Sequence, residues 1–417
     1  MRALSETDRR AYQANIWKSY AFSFLYSFQL WWPIWVIYLT GYRGFSLTQV
    51  SVLEALFWVV IVLSEVPTGA IADRYGRKTS LILGAAFWSV SVLVFGVATN
   101  FWIVLLSYVT WGLGLTFVSG AEAALRFESL KALGREHEYS RVAGVTWGLG
   151  SLGAVAGMLA GAPIAAATNL AVPVLLSAAV GFLTLGVTLS FKEPDLEDGE
   201  VRLDYRELIG ESARTAWRST TVRTMLFASA VLLASTNAVI LFSQPFLEHH
   251  DVPVGLFGVV QAPMRVAGIV GAIAAYRIGS LLGLRPTLIA TAVLLAASYA
   301  LLGGWASVFA FGATAVVFFL LNMLHPLVES YLNHRIPNAQ RATILSFRQL
   351  LTSIVIASVQ PVQGVIADNV SLETMFWATA AFVGVMAPLF LAFWLRADGK
   401  ETTPPLPERE LEATPAG

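Results

Sequence analysis

The sequence predicts an all-α membrane protein with 12 transmembrane helices, on the strength of its composition and of its long apolar runs. Of its 417 residues, 56% are hydrophobic and only 13% are charged, and the mean hydropathy is +0.66. Soluble proteins carry about 25% charged residues. A span needs about 20 mostly apolar residues, because the hydrocarbon core is roughly 30 Å thick. Twelve such segments fit into the chain with short connections.

The apolar runs fall into two sets of six, separated by the longest polar stretch of the chain. The first spans are predicted near 16–40, 47–71, 79–98, 102–126, 142–166 and 170–191. The second set is predicted near 223–246, 254–278, 286–304, 306–331, 342–367 and 372–396. Residues 192–222 are predicted to form a linker with a short amphipathic helix near 205–217, and residues 397–417 a disordered tail.

Several classes of function are disfavoured by what the sequence lacks. There are no cysteines, so the chain can form neither a disulfide nor a thiolate metal site. The net charge is zero, which gives no indication of a nucleic-acid partner. No phosphate-binding Gly-x4-Gly-Lys-Ser/Thr loop is present, and no nucleophile–base pair or histidine cluster lies at a common depth. We therefore expect no enzyme, no cofactor and no metal.

The basic residues predict the orientation, because Lys and Arg are retained on the cytoplasmic side of short loops. With both termini inside, nearly all 27 basic residues lie in the tails, the linker and the inner loops. Arg43 then stands in an outer loop. The first fifteen residues lack an apolar core, so no cleaved signal peptide is expected. The prediction is a multi-pass protein of the cell inner (plasma) membrane with both termini cytoplasmic.

The stretch from Gly69 to Lys78 connects predicted spans 2 and 3 and reads Gly-Ala-Ile-Ala-Asp-Arg-Tyr-Gly-Arg-Lys. Its pattern, Gly-x-x-x-Asp-Arg-x-Gly-Arg-Lys, resembles the signature between the second and third helices of major facilitator superfamily transporters. Every position of that signature is filled. The opening of predicted span 11, at residues 338–346, also looks like many bacterial members.

The resemblance implies two six-helix pseudo-symmetric bundles, 1–191 and 223–396, with the substrate site between them near the bilayer midplane. An internal comparison agrees with this arrangement. Sliding the sequence by 207 residues places Gly283 under Gly76 and Arg285 under Lys78, while Ser280 replaces Asp73. The second copy of the motif is thus a remnant.

The resemblance also implies a conformational gate in the loop between spans 2 and 3. Asp73 is expected against the positive N-terminal end of helix 11, Arg77 is expected to pair with Glu128, and the two glycines to permit close contact and a tight turn. A solvated basic loop is the alternative, but it does not explain the Asp and Gly positions. The predicted gate residues are Gly69, Asp73, Arg74, Gly76, Arg77, Lys78, Glu128 and Arg341.

Predicted span 5 is rich in glycine. Its residues Gly144, Gly153, Gly157 and Gly161 resemble the antiporter signature of the superfamily, although Met158 replaces the proline of that signature and Ala160 one of its glycines. The pattern favours antiport. The alternative is that these glycines only permit close helix packing, against helix 8.

Two ionisable residues lie deep in predicted spans, where such groups are costly and usually face a cavity or a partner. Glu54 lies in an apolar run, which favours its protonated form, and is predicted to carry a coupling proton. Arg265 is predicted to attract an anionic group or to balance a carboxylate in the same coupling site. A structural hydrogen bond to a neighbouring helix is the alternative for each.

The resemblance places helices 1, 4, 7 and 10 around the central cavity. An aromatic wall with few charges suits a partly apolar or cationic ligand, although Trp and Tyr are also common at membrane interfaces. The predicted substrate-binding residues are Tyr26, Gln29, Trp32, Trp111, Asn237, Asn322 and His325.

Together these observations predict a secondary active transporter that works by alternating access as a monomer in the lipid bilayer. Its expected partners are protons and a small amphipathic organic compound, which it is predicted to export in exchange for protons. Two alternatives stay open. The same fold could import or facilitate a nutrient or metabolite, or the chain could be a receptor or scaffold without flux.

Overall fold

The computed structural model describes residues 5–194, 214, 216–337 and 340–399, and this part of the chain is built from helices, without a β-strand. The first set is α1 (Glu6–Ser27), α2 (Leu47–Tyr75), α3 (Arg77–Val97), α4 (Phe101–Val118, continued by Ala121–Ala132), α5 (Tyr139–Ala167) and α6 (Ala171–Ser190). The second set is α7 (Thr220–Ala234, continued by Thr236–His249), α8 (Phe257–Leu282), α9 (Leu284–Gly304), α10 (Gly312–Asn333), α11 (Arg341–Asn369) and α12 (Leu372–Asp398).

Within the described ranges, 11 segments are long and apolar enough to cross a membrane. They correspond to α2 through α12, so the chain is a multi-pass membrane protein. The remaining predicted span begins with α1, which carries charged residues and is not among the 11. The count of 12 transmembrane helices is compatible with this arrangement and stays a prediction.

Helix α1 begins ten residues before the start expected from hydropathy, because its first three turns are stabilised by polar contacts. The Ser5 hydroxyl accepts a hydrogen bond from the Asp8 amide at 3.1 Å, which caps the helix. Further along, Asn15 donates to the Ser129 hydroxyl at 2.9 Å and to the Lys192 carbonyl at 2.8 Å. These bonds tie α1 to α4 and to the end of α6.

Three predicted continuous helices are interrupted in the structure. The first span breaks after Ser27 and resumes as a short helical segment from Trp35 to Ile37, followed by a π-helical turn from Tyr38 to Tyr42. Helix α4 breaks at Gly120, whose φ of 76° lies in the region that favours glycine. Helix α7 breaks at Ser235. Hydropathy does not register such breaks, because one or two polar residues barely lower the mean hydropathy of a segment of about 20 residues.

The helices pack mainly within their own set. In the first set α3 packs on α4 and α6, α2 on α4, and α1 on α5; in the second, α8 packs on α10, α9 on α12, and α7 on α11 and α12. The largest contact between the sets joins α2 to α11, followed by the contact of α5 with α8. These contacts fit two bundles, whereas the exact domain boundaries stay predictions.

The two ends of the helices differ. We call the end that carries Gly76 and Gly283 the basic end, and the end that carries Gly44 and Val370 the opposite end. Gly76 precedes α3 with φ 92° and Gly283 precedes α9 with φ 78°, so the turn predicted from the internal repeat is present in both sets.

Some predictions fall on residues outside the described ranges. These are most of the predicted linker, including nearly all of its amphipathic helix near 205–217, and the tail from residue 400 onward.

Candidate functional site

The two sets of helices meet closely at the opposite end. The Asp368 carboxylate at the end of α11 accepts hydrogen bonds from the amides of Leu47 and Thr48 at 3.0 and 2.7 Å. The Thr48 hydroxyl adds a bond of 2.6 Å to the same carboxylate. One turn away, a Cβ atom at Gly364 would lie 2.5 Å from the Ser51 hydroxyl oxygen. Helices α2 and α11 are therefore in direct backbone contact here.

The break in the first span is also held by the second set. The Gln244 side chain donates to the Trp32 carbonyl at 2.9 Å and accepts from the Val36 amide at 2.8 Å. The Gln261 amide of α8 donates to the Pro33 carbonyl at 3.0 Å. Backbone groups freed by a helix break in a membrane must find partners. Two side chains from the other set supply them.

Toward the basic end the sets separate. Leu63 and Val66 of α2 are 69% and 64% exposed, and the space around a Cβ atom at Gly69 is empty within 4 Å. The described hydrogen bonds between the sets thus lie at the opposite end and at the break of the first span, while α2 is exposed toward the basic end.

The predicted contact of Asp73 with the start of helix 11 is not the contact observed. The Asp73 carboxylate instead accepts a 2.6 Å hydrogen bond from Arg77, one turn further along the chain. Arg341, at the start of α11, donates to the Asn333 carbonyl of its own set. The reason is the separation of the two sets at this end. Arg77 does approach Glu128, at 3.5 Å, as predicted.

The two glycines of this loop differ in what they permit. Gly76 is required by the turn, because its φ is 92° and a Cβ atom would lie 2.9 Å from a Glu193 carboxylate oxygen. That carboxylate accepts bonds of 2.6 Å from the amides of Arg77 and Lys78 and so caps α3. The close helix contact predicted for Gly69 is absent from this conformation. Arg74 lies over the neighbouring Tyr75 ring.

The glycines of α5 pack mainly against α1, not against helix 8 as the alternative interpretation expected. A Cβ atom at Gly153 or Gly161 would overlap a carbonyl oxygen of α1 or of the segment that follows it, and one at Gly157 would lie 2.7 Å from the Gln29 amide nitrogen. Helix α8 approaches α5 through its own Gly258, which lies against the Met158 carbonyl. Gly144 has open space around it.

Glu54 is buried in α2, with 7% of its surface exposed. The structure records no hydrogen bond or ion pair for its carboxyl group among the described residues. Tyr108 of α4 is close enough for the carboxyl and phenol groups to interact electrostatically. Glu54 also lies one turn from Ser51, which contacts α11. This acid is thus placed where α2 meets both α4 and the other set.

Aromatic rings surround the neighbourhood of Tyr108. Trp111 lies 4.3 Å from Phe57 and 5.4 Å from Trp31, measured between ring centroids. Beside them is a small cavity of about 20 Å³, lined by Trp31, Ser91, Val92, Phe95, Ser107, Tyr108 and Trp111; this is room for about one water molecule. The predicted substrate residue Trp111 therefore belongs to an aromatic cluster inside the first set.

Arg265 and Trp32, both predicted site residues, meet across the boundary between the sets. The guanidinium carbon of Arg265 lies 4.8 Å from the centroid of the Trp32 ring. A cation–π contact of this kind is worth about 0.5–2 kcal/mol. The Nε atom of Arg265 is buried and has no hydrogen-bond partner in the structure.

A second polar cluster lies nearer the basic end. The imidazole of His325 on α10 contacts Arg348 of α11 at 3.2 Å and Glu329, one turn away, at 3.7 Å. Arg348 is only 5% exposed, and its Nη1 atom is buried without a partner. The predicted substrate residue His325 is therefore part of a charged group that connects α10 to α11.

The other predicted substrate residues are placed less directly. Tyr26 packs on Phe22 and Trp88 inside the first set. The Gln29 side chain donates to the Tyr26 carbonyl at 3.2 Å, and the Asn322 side chain donates to the Phe318 carbonyl at 2.8 Å. Both side chains therefore form hydrogen bonds within their own segments. Asn237 is buried in α7.

Two contacts between the sets involve residues that the sequence did not single out, Asp368 and Gln261. Gln261 precedes Arg265 by one turn and shares its helix face, which is a signal that helical periodicity carries. Asp368 offers no local signal, because its partners are more than 300 positions away in the chain. In the described part of the chain, no group of three His, Asp or Glu side chains could hold a metal ion.

Comparison with known proteins places this geometry in a family. The model of the Major Facilitator Superfamily matches residues 19–283 and 266–416. The uncharacterized MFS-type transporter YxaM of Bacillus subtilis (strain 168) is 23% identical over 375 residues, covering 86% of this chain and 90% of YxaM.

Two solved structures share the fold. The nucleoside transporter NupG has a TM-score of 0.78 at 12% identity, covering 92% of this chain and 99% of NupG. A bacterial homolog of the human lysosomal transporter Spinster, in an inward-facing and unoccupied conformation, has a TM-score of 0.73 at 15% identity, covering 97% and 100%. Since the family model spans nearly the whole sequence, the chain belongs to the Major Facilitator Superfamily and is a membrane transporter, not an enzyme.

Proposed function

We propose that this transporter exports a small amphipathic organic compound in exchange for protons, by alternating access. In this proposal the basic end faces the cytoplasm, and the structure represents the conformation that takes up substrate from that side. The exposure of Leu63 and Val66 toward the basic end, and the closed contact of Asp368 with Thr48, support this assignment.

The burial of Glu54 is the observation that carries the coupling proposal. A charged carboxylate in an apolar interior is costly unless it is paired or hydrogen-bonded, and among the described residues Glu54 has no such partner. A carboxyl group placed between α2, α4 and α11 can gain a proton in one conformation and lose it in another. Movement of α11 away from α2 would change its exposure to water.

Proton flux through the purified protein in liposomes tests this role. The liposomes would contain the pH-sensitive dye pyranine, and 1-naphthoate, 1-naphthamide and 1-naphthylmethylammonium would be added outside under a pH gradient. We expect at least one compound to change the proton flux in the wild-type protein. Glu54→Gln should abolish that change, because glutamine cannot exchange a proton.

Glu65→Gln is the matched control, since Glu65 lies on the same helix but is exposed. It should leave the compound-dependent flux unchanged. An undiminished flux in Glu54→Gln would remove Glu54 from the coupling mechanism, and an equal loss in both variants would point to a general defect of α2.

The direction of transport needs a separate measurement. The glycine pattern of α5 resembles the antiporter signature, yet contact with α1 already accounts for Gly153, Gly157 and Gly161. Comparing inside-out with right-side-out vesicles separates export from import. Inside-out vesicles with an acidic interior should accumulate the compound that is active in the flux assay. Accumulation only in right-side-out vesicles would favour the import alternative.

A further inference from the structure

Arg265 differs from the other arginines of the helical interior in having no polar partner among the described residues. Arg126 is paired with Glu122 at 2.5 Å, and Arg348 contacts His325 at 3.2 Å. For Arg265 the structure records the ring of Trp32 and a buried, unbonded Nε atom. A guanidinium in a membrane interior normally pairs with an acid or a carbonyl.

The position of Arg265 on Trp32 is fixed by the residues around both. The Trp32 carbonyl is bonded to Gln244, and the Pro33 carbonyl to Gln261, which lies one turn before Arg265 on α8. The two Gln side chains thus hold the segment that carries Trp32 against the helix that carries Arg265. A site held in place before its ligand arrives loses less conformational freedom on binding.

The remaining donors of Arg265 suit an anion. A guanidinium on an aromatic face keeps its N–H groups, and these match the oxygens of a carboxylate or phosphate in a bidentate arrangement. The ring of Trp32 beside it provides an apolar surface for the rest of the ligand. A cationic ligand would instead be repelled by the unpaired charge.

The charges around Arg265 also favour an anionic ligand. Gly268 on α8 packs against Asn322 on α10, so these two residues lie at the same depth along the helices. Arg265 lies three residues from this level toward the opposite end, and His325 three residues toward the basic end, which separates them by about 9 Å along the helices. The cluster at His325 contains Arg348 and a single acid, Glu329. An anion entering from the basic end therefore meets Arg348 before Arg265.

We propose that Arg265 and Trp32 together bind an organic anion, with the guanidinium on its carboxylate or similar acidic group and the indole on an adjoining aromatic or apolar part. This inference rests on the proposed transport function and names its substrate class. It replaces the cationic ligand that the aromatic wall by itself favoured.

The test is charge-selective binding by the full-length protein in lipid nanodiscs. Three probes share one ring system and differ in charge: 1-naphthoate, 1-naphthamide and 1-naphthylmethylammonium. We expect the wild-type protein to bind 1-naphthoate most tightly, measured by calorimetry and by the shift in melting temperature, because binding to the folded state raises its stability. Arg265→Gln should weaken 1-naphthoate binding by about tenfold or more, as expected for loss of a charge-assisted pair, and leave 1-naphthamide nearly unchanged.

Two further variants make the result specific. Arg277→Gln removes the same charge from an exposed position on α8 and should bind all three probes as the wild type does. Trp32→Ala should weaken both 1-naphthoate and 1-naphthamide, since the ring contact serves the apolar part. Normal melting temperatures without probe establish that the variants are folded.

The proposal is overturned if the wild type shows no preference for 1-naphthoate over 1-naphthamide, or if the preference survives in Arg265→Gln. This outcome is separable from failure of the coupling proposal, because binding in nanodiscs needs no proton gradient. If the wild type shows no anion preference but normal proton flux, only the proposed substrate class is wrong. If the Glu54→Gln protein binds the anion and keeps an undiminished proton flux, only the coupling role of Glu54 is wrong.

Discussion

Asp368, in the last turn of α11, caps the N-terminus of α2 through Thr48, and this contact joins the two halves of the transporter at the opposite end. The carboxylate accepts from the Thr48 amide at 2.7 Å and from its hydroxyl at 2.6 Å. A carboxylate at a helix N-terminus is favoured by the helix dipole as well as by these bonds. The contact holds the two sets together at the opposite end, and in the proposed alternating-access cycle it breaks when that end opens.

Replacing Asp368 by Asn should therefore shift the conformational equilibrium toward opening at the opposite end. Loss of the charge should cost the closed state about 1–2 kcal/mol, which corresponds to roughly a 5- to 30-fold change in population. The native chain has no cysteine, so spin labels can be attached at Thr168→Cys and Val370→Cys, both exposed at this end. Double electron–electron resonance should then show a larger fraction of long distances.

Asn369→Ala serves as the control for this measurement, because the Asn369 side chain bonds only to the Val365 carbonyl of its own helix in the described structure. It should leave the distance distribution as in the wild type. A distribution for Asp368→Asn that matches this control would show that the cap does not hold the opposite end closed.

Much of the fold could be predicted from the sequence because hydropathy distinguishes the segments that lie in the bilayer from those that lie in water. The predicted spans 2 to 12 correspond to helices in the structure, and the loop at Gly76 contains the predicted turn and the predicted approach of Arg77 to Glu128. These features depend on local composition or on a motif of ten residues. The polar first turns of α1 escaped prediction because hydropathy does not register capping by Ser5.

The remainder of the site depends on contacts that no local pattern encodes. The stacking of Arg265 on Trp32 and the capping of α2 by Asp368 join residues more than 200 positions apart. Asp73 illustrates a further difficulty. One sequence specifies several conformations of a transporter, so a motif can describe a contact that belongs to a conformation other than the observed one.

Alanine substitutions in α5 should distinguish a tightly packed glycine from one that faces open space on the same helix. Gly161→Ala places a methyl group onto the Leu30 carbonyl, and overpacking of this kind typically costs about 1–3 kcal/mol. Gly144→Ala meets open space and should be neutral or stabilising by about 0.5–1 kcal/mol, as for glycine in a helix interior. Melting temperatures in detergent should fall for the first variant and not for the second. Equal melting temperatures would contradict the observed contact of α5 with α1.

The gate proposed for the loop at Asp73 makes a prediction about the conformation that closes the basic end. In the structure Asp73 binds Arg77, while the start of α11 is free of it. When the halves close at this end, we expect the Asp73 carboxylate to cap α11, with a stabilisation of about 0.3–2 kcal/mol. Asp73→Asn should therefore reduce the population closed at the basic end and slow exchange between the two conformations.

Spin labels at Thr79→Cys and Ser280→Cys report on this end, since these exposed residues lie close to the corresponding turns of the two halves. Asp73→Asn should lower the fraction of short distances between them, whereas Glu136→Gln, an exposed acid at the same end, should not. The two labelled distances together distinguish a gate from a structural loop. If Asp73 is a gate residue, Asp73→Asn should change the relative populations of the two conformations at an unchanged melting temperature, because its bond to Arg77 is an exposed pair that contributes little to stability. If the loop is purely structural, Asp73→Asn should lower the melting temperature and leave those populations as they are.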